Sequence, residues 1–308
     1  MAELTRPPRL SAGERVVVVS LAGPSKQDQL DAGCERLRGW GLDVVVAPHA
    51  LDVHDPLEYL AGSDADRAAD LQAAWLDPAV SGVFCARGGY GVQRMVDLLD
   101  WDAMREADPK VFAGYSDVTA LHEAFALRLG VATLHAPMVA VKPFTSDERS
   151  VNLLRRTLFE PESVLSLTST TAETMVPGRA CGITVGGCVS LLTSDIGTPT
   201  GRRGFAGGIL VLEDTLEDVE RLDRIFTQFL RAGLADGVAG IALGSWQDCK
   251  PPERVRDLAL DRFRGLGVPI VWELGFGHGP SSLTIPLGIP ATLDADAAVL
   301  TLDVPALI

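Results

Sequence analysis

The chain has 308 residues, 47% of them hydrophobic, and its 41 acidic and 27 basic residues give a formal net charge of −14. That size and apolar content suit two modest domains or one large one with a sizeable core. The acidity, with no basic run anywhere, argues against nucleic acid and anionic membrane surfaces as partners. No apolar stretch reaches the roughly 18 to 20 residues that span a bilayer. Val16 to Ala22, the nearest thing to a signal-like run, is short and closely followed by Pro24 and Lys26, and fits a buried first strand better. The cysteines, Cys34, Cys85, Cys181, Cys188 and Cys249, are odd in number and scattered, with no CxxC pair. They read as reduced thiols in a cytoplasmic protein. Neither HExxH nor a Cys/His cluster at zinc spacing occurs, so neither a metal nor a cofactor is expected.

In chain order, the first half alternates strand and helix patterns. Arg15 to Ser20 is a β-branched run, Lys26 to Gly39 a helical pattern closed by Gly39 and Gly41, and Asp43 to Pro48 a second buried strand. Asp64 to Leu76 is helical and stops at Asp77-Pro78. Gly82 to Arg87 is a third strand, Gly91 to Leu99 a helix, Lys110 to Gly114 a fourth strand and Ser116 to Leu129 another helix. Strands apolar throughout and separated by helices predict a parallel sheet covered on both faces. Ligands of such sheets bind at the carboxyl ends of the strands, where Arg87 to Gly91 and Gly114 to Asp117 both fall.

Lys142 to Thr174 holds Pro143, Pro161 and a Ser/Thr cluster from Ser163, with one short helix at Ser150 to Phe159. It reads as an inter-domain connection, giving an N-terminal unit over 1–150, a linker over 151–174 and a C-terminal unit over 175–308. The C-terminal unit is rich in glycine and short strands. Gly208 to Glu213, Gly237 to Gly244 and Pro269 to Trp272 are strands; Asp218 to Ala232 and Glu253 to Leu266 are helices. Thr284 to Pro286 and Ala291 to Leu293 read as late antiparallel strands, and Gly182 to Gly187 and Gly275 to Gly279 as loops.

Three segments carry chemistry. Ser116 sits where the strand ending at Gly114 turns into a helix. A serine there has two readings. It caps the helix, or it presents a nucleophile with backbone N–H groups aimed at the oxyanion it creates. A nucleophilic serine needs a base, and the base needs a partner that fixes its tautomer. Of the five histidines, His122 lies six residues on, about 600° of helix rotation from Ser116, and points away. His49 and His54 lie in an ordinary loop. His135 follows a strand-like run and is a second candidate; His278 stands between glycines in Gly275-Phe-Gly-His-Gly-Pro280, where the backbone can turn tightly. Glu213 ends an apolar strand and is either a solvated strand end or the acceptor of the imidazole N–H. The order Ser116, Glu213, His278 matches Ser, acid, His in α/β-hydrolases, but the chain has no G-x-S-x-G pentapeptide.

Arg87-Gly-Gly-Tyr-Gly91, Gly114-Tyr-Ser-Asp-Val-Thr-Ala-Leu-His122, His135-Ala-Pro-Met138, Gly186-Gly-Cys-Val-Ser-Leu-Leu192 with Gly197-Thr-Pro199, Leu212-Glu-Asp214, and Gly277-His278 with Leu287-Gly288 resemble the LD-carboxypeptidase family. These are serine peptidases related to muramoyltetrapeptide carboxypeptidase and to the microcin C self-immunity peptidases. The resemblance covers nearly the whole chain in order. It implies an α/β fold: a flavodoxin-like N-terminal domain with a parallel sheet and a smaller, β-rich C-terminal domain, with the site between them. It also implies that Ser116 is the nucleophile, His278 the general base and Glu213 its orienter. The N–H groups of Gly89 and Asp117 would form the oxyanion hole, and Arg87, Gly88, Tyr90 and His135 are the candidate substrate contacts. Two departures stand out: Cys188 occupies a position where many members have Asn, and His135 lies in Leu134-His-Ala-Pro137 where the family often has a histidine pair or His-Gly-Pro.

The resemblance therefore implies a homodimeric enzyme that takes a small peptide. One expected activity removes the terminal D-alanine of a murein tetrapeptide in peptidoglycan recycling. The alternative cleaves a peptidyl-nucleotide antibiotic and needs an aromatic to stack the nucleobase. Trp246 and Trp272 are the aromatic candidates in the second half. A non-catalytic binding protein on the same fold is the third reading, and the presence of Ser116, Glu213 and His278 argues against it.

Overall fold

A computed structural model describes residues 1–308. The run Val16-Val-Val-Val19 is buried along its whole length, because a strand in the middle of a parallel sheet meets helices on both faces. The strands of the first half are β1 (Arg15–Val19), β2 (Asp43–Val46), β3 (Val80–Cys85), β4 (Val111–Gly114) and β5 (Thr133–His135). The second half supplies β6 (Ser166–Leu167), β7 (Glu173–Val176), β8 (Arg179–Cys188), β9 (Gly208–Thr215), β10 (Gly240–Gln247), β11 (Ile270–Trp272), β12 (Ile285–Leu287), β13 (Pro290–Asp294) and β14 (Val299–Leu302). The helices are α1 (Gln27–Gly39), α2 (Asp64–Leu76), α3 (Val92–Met95), α4 (Trp101–Glu106), α5 (Thr119–Ala124), α6 (Lys142–Thr145), α7 (Glu148–Phe159), α8 (Val189–Ser194), α9 (Val219–Arg231) and α10 (Pro252–Phe263).

The first sheet has the order β12-β5-β4-β3-β1-β2. Without β12 this is the flavodoxin-like order, and its five strands run parallel. The second sheet has the order β6-β14-β13-β8-β9-β10-β11-β7. Its centre, β8 to β11, is parallel, and its flanks are antiparallel. Alternate residues of β9 enter two different cores. Leu210 and Leu212 pack with α9 residues such as Phe226 and Phe229, whereas Ile209 and Val211 pack with Ile285 and Ala132 between the sheets.

The chain does not divide at one point. β12 returns to the first sheet and pairs antiparallel with β5, Ile285 opposite His135. Leu154 and Leu158 of α7 and the near-terminal Ala306 and Leu307 join the core of the first sheet. Arg9 N–H donates to the Ile308 carbonyl at 2.8 Å, which draws the two ends of the chain together. The segment expected to be a linker is structured: α7 covers the first core, and β6 and β7 form the two edges of the second sheet. Its hydroxyl-rich composition suits short edge strands as well as a loop.

Gly182 to Gly187 are not a loop but lie inside β8, paired by β13 and β9. The glycines serve close approach rather than flexibility. A Cβ on Gly186 would lie 2.2 Å from the Val211 carbonyl oxygen, and one on Gly187 2.6 Å from Thr119 Oγ1. The expected helix from Ser116 to Leu129 is three pieces: a 3₁₀ turn at Ser116–Val118, α5, and a π-helical turn at Phe125–Leu129 ended by Gly130 at φ 69°.

Candidate active site

Four residues separate the end of β4 from α5, and Ser116 takes the strained place among them. Its φ is +66°, a left-handed conformation that costs a non-glycine residue of order 1–3 kcal/mol. The backbone bends sharply there, and the hydroxyl stands at the carboxyl end of the sheet. Ser116 Oγ makes no capping bond. It lies 2.9 Å from His278 Nε2, within hydrogen-bond reach of the imidazole.

Glu213 and His278 come from the second sheet. Glu213 ends the apolar part of β9 and is fully buried. Its Oε2 accepts from His278 Nδ1–H at 2.6 Å. With Nδ1 donating, Nε2 is free to accept the serine proton. Gly277, at φ +98°, makes room for this contact, since a Cβ there would sit 2.6 Å from Glu213 Oε2. Burial disfavours the imidazolium, but the charge and hydrogen bond of Glu213, with Asp214 behind it, outweigh burial and raise the His278 pKa above its ordinary value. Burial also works against the Glu213 carboxylate. Its neighbours His278 and His135 win, and its pKa is lowered.

Hydroxyl groups that no sequence pattern marks hold the His278 loop. Ser245 Oγ accepts from Gly279 N–H at 2.8 Å, Ser282 Oγ from Gly277 N–H at 3.1 Å, and Ser150 Oγ from Ser282 N–H at 2.7 Å. Ser281 Oγ donates to Asp147 Oδ2 at 2.6 Å. The loop is thereby fastened both to β10 and to the start of α7.

Gly88 lies directly against Ser116: a Cβ on it would be 2.8 Å from Ser116 Cβ and 2.9 Å from Oγ. Gly89, at φ +130°, presses on Gly23, whose N–H donates to the Gly88 carbonyl at 3.1 Å. Asp117, next to Ser116, is buried, and its Oδ2 accepts from Val92 N–H at 2.8 Å. Burial pushes its carboxyl up to about 6, against the pull of the Val92 hydrogen bond and Arg67. Arg67, wholly buried, donates from Nη1 to the carbonyls of Leu21 and Gly91 at 2.7 and 2.8 Å. Arg87 is half-buried and donates to the carbonyls of Gly88 and Pro24 at 3.3 and 3.2 Å, so it braces the glycine turn. Tyr90 is 51% exposed and packs edge-on against Tyr59, itself exposed.

His135 is placed differently from the expected substrate contact. It is fully buried, between the rings of Tyr115 and Phe276, with Nε2 3.8 Å from Glu213 Oε1. β5 is buried on both faces, so neither side of it opens to a ligand. His122 is buried as well. Its Nε2–H donates to the Gly114 carbonyl at 2.9 Å and its Nδ1 accepts from Thr133 at 2.8 Å. Burial first, and His135 second, push its pKa down to about 3. Cys188 lies opposite Glu213 in the β8–β9 register, and its thiol donates to Asp214 Oδ1 at 3.4 Å. Trp246 and Trp272 are buried and stacked on each other, with centroids 6.1 Å apart.

Beside the His278 loop a polar cavity of about 580 Å³ opens at the carboxyl ends of β10 and β11. Arg149, Ser245, Trp246, Lys250, Glu273 and Ser281 are in its wall. Burial, with Glu173 nearby, pushes the Glu273 carboxyl up to about 7. Ser116, Glu213 and His278 do not line this cavity; they lie next to it, across Gly279 and Pro280. Elsewhere, His49, Asp52 and Asp66 bring potential ligand atoms within 4.8 Å of one another at the surface, but His49 Nδ1 is already paired with Asp70 at 2.8 Å.

The arrangement is a hydroxyl, an imidazole and a carboxylate in hydrogen-bonded series, which is the layout of nucleophilic acyl transfer. Comparison with known proteins agrees with it. Residues 16–136 match the LD-carboxypeptidase N-terminal domain, and residues 181–293 match the LD-carboxypeptidase C-terminal domain. The chain is 60% identical to a putative carboxypeptidase of Streptomyces coelicolor, over 100% of this chain and 99% of that one. It is 30% identical to the murein tetrapeptide carboxypeptidase of Pseudomonas aeruginosa, over 92% of this chain and 94% of that one. The fold is shared with the microcin C7 self-immunity protein, at a TM-score of 0.87 and 21% identity, covering 98% of this chain and 99% of that one. Two matched domains in order, a hydroxyl–imidazole–carboxylate series drawn from both sheets, and relatives aligned over nearly their full length lead to one conclusion: this chain belongs to the LD-carboxypeptidase family and is a peptidase.

Proposed function

We propose that the protein is a serine LD-carboxypeptidase that removes the terminal D-alanine of a murein tetrapeptide. The observation that carries this reading is the continuous series from Ser116 Oγ through His278 to Glu213, at 2.9 and 2.6 Å, in a chain 30% identical to a murein tetrapeptide carboxypeptidase.

Ser116 Oγ attacks the carbonyl carbon of the scissile amide while His278 Nε2 takes its proton. Glu213 steadies the imidazolium. The carbonyl oxygen becomes an oxyanion and is met by the N–H groups of Gly89 and Asp117. The C–N bond breaks, His278 hands its proton to the departing D-alanine amine, and an acyl-serine remains. Water, activated by His278, then attacks the ester and restores the hydroxyl. The cavity beside the His278 loop takes the rest of the peptide, with Arg149 and Lys250 available to its carboxylates. Arg87 is the candidate for the terminal carboxylate. The unpaired cysteines support a reducing compartment, and the reading includes a cytoplasmic homodimer working on recycled wall peptides.

The alternative substrate is a peptidyl-nucleotide. Trp246 and Trp272 are buried and stacked on each other, so a nucleobase would have to displace one ring from the other, which favours the wall peptide. Mass spectrometry of murein tetrapeptide and of an aminoacyl-sulfamoyl adenylate, each incubated with the protein, decides. Tripeptide plus D-alanine is the expected product. An intact tetrapeptide alongside a cleaved adenylate would reverse the order of the two readings.

A further inference from the structure

The catalytic carboxylate has two oxygens, and only one faces the base. Glu213 Oε2 holds His278; Oε1 is buried and makes no hydrogen bond. Both ring nitrogens of His135 are likewise buried and without a hydrogen-bond partner, and Nε2 lies 3.8 Å from that same Oε1. Buried polar atoms are almost always paired, because an unpaired one forfeits its hydration. Here two such groups, on strands of different sheets, are turned toward each other. The groups around them leave His135 no other acid: Tyr115 and Phe276 pack on its ring, and His122 donates its own Nε2–H to Gly114.

We infer that His135 is a positioning residue for the catalytic carboxylate: its Nε2–H faces Glu213 Oε1, keeps that oxygen ionised and stops the carboxylate from rotating away from His278. At 3.8 Å the contact is longer than a hydrogen bond, so it acts as a charge–dipole contact. This rests on the reading of Ser116, His278 and Glu213 as the catalytic unit, but not on the identity of the substrate.

The test uses the full-length protein and a fluorophosphonate probe. Ser116 Oγ bonds to phosphorus, fluoride leaves, and the hydroxyl proton passes to His278, so the labelling rate reports the triad directly. His135→Met should slow labelling about tenfold, and His135→Gln, which keeps an N–H donor, should recover at least half of the wild-type rate. In the Glu213→Gln background His135→Met should cost less than twofold more, because the two side chains act as one unit. The acid limb of the rate should also move to lower pH in His135→Met, since a carboxylate free to rotate away supports the His278 imidazolium less. Should His135→Met fail to fold, His135→Asn, too short to reach Oε1, enters the same cycle. Equal losses in both backgrounds, an unmoved acid limb, or a Gln variant as slow as Met would overturn the inference. A wild type that takes no label brings down the triad reading and this inference together, whereas a labelled wild type that leaves tetrapeptide intact refutes only the proposed substrate.

Discussion

Val92 N–H donates to Asp117 Oδ2 at 2.8 Å, a bond that ties the glycine turn after β3 to the turn that carries Ser116. Asp117 thus has two parts to play. Its backbone N–H is a proposed oxyanion donor, and its side chain fixes where the other donor, on Gly89, stands.

Asp117→Asn should keep activity within about threefold, because the amide oxygen can take the place of Oδ2 as acceptor of Val92 N–H, while Asp117→Ala should lower kcat by about 10- to 100-fold by releasing the glycine turn. The pH dependence has a definite sign. Burial raises the Asp117 pKa to about 6 in the folded protein, above its unfolded value near 4. Between those values the folded state binds the extra proton, so this group's contribution to stability falls as pH rises from about 4 to 6 and is level beyond. The Asn variant lacks that loss. Its melting temperature relative to wild type should rise across that window, and a flat difference would count against the buried carboxyl.

Ser116→Gly should abolish turnover, by a factor of about 10⁴, and yet raise stability by about 1 kcal/mol, because glycine relieves the strain at φ +66°. Urea unfolding with a wild-type slope measures it. A less stable Gly variant would mean that the turn is not strained.

As the proposed general base, His278 has to be neutral to act. Glu213 raises the His278 pKa, so the acid limb of kcat/KM should lie above pH 6.5, the ordinary imidazole value. Glu213→Gln removes that support, and burial then governs. The limb should move to lower pH even as kcat drops by a few kcal/mol of transition-state stabilisation. A limb that stays in place in Glu213→Gln would detach the carboxylate from the base.

Gly277→Ala places a methyl 2.6 Å from Glu213 Oε2 at a backbone φ of +98°. Both the contact and the conformation are penalised, so kcat should fall at least about 100-fold with KM little changed. Gly279→Ala meets nothing nearer than 3.4 Å and should remain within a few-fold of wild type. Equal effects of the two changes would show that the loop is pliable.

The first sheet was legible because its strands are buried on both faces, so that runs such as Val16 to Val19 and Val111 to Gly114 stand out as strands without any alternation. β8 was illegible for the opposite reason. Gly182, Gly186 and Gly187 carry no side chain to mark a strand, and only the crowding by Gly207, Val211 and Thr119 in turn explains them. The return of β12 to β5 has no local signal at all, since Ile285 to Leu287 would serve either sheet. Ser116, Glu213 and His278 could be singled out as candidates from their strand ends and glycine neighbours, and their combination into one unit rested on the family resemblance. The hydroxyls of Ser150, Ser245 and Ser282 could not, because a serine that holds a loop looks like any other. His135, the second candidate for the base from its place after a strand-like run and a candidate substrate contact besides, lies on β5, which is buried on both faces, and stands behind the carboxylate.

Ser116 and His278 are 162 residues apart in the chain, and their contact exists only once the two sheets have docked and β12 has paired with β5. Closing so long a loop comes late in folding, because its entropy cost is met before its contacts form. The triad therefore serves as a clock for assembly. When denatured protein is returned to native buffer, far-ultraviolet circular dichroism should recover first and reactivity toward a serine probe last, with the lag lengthened by substitutions at Ile285 that leave the mature site untouched. Simultaneous recovery of both signals would mean that the sheets and the site form in a single step.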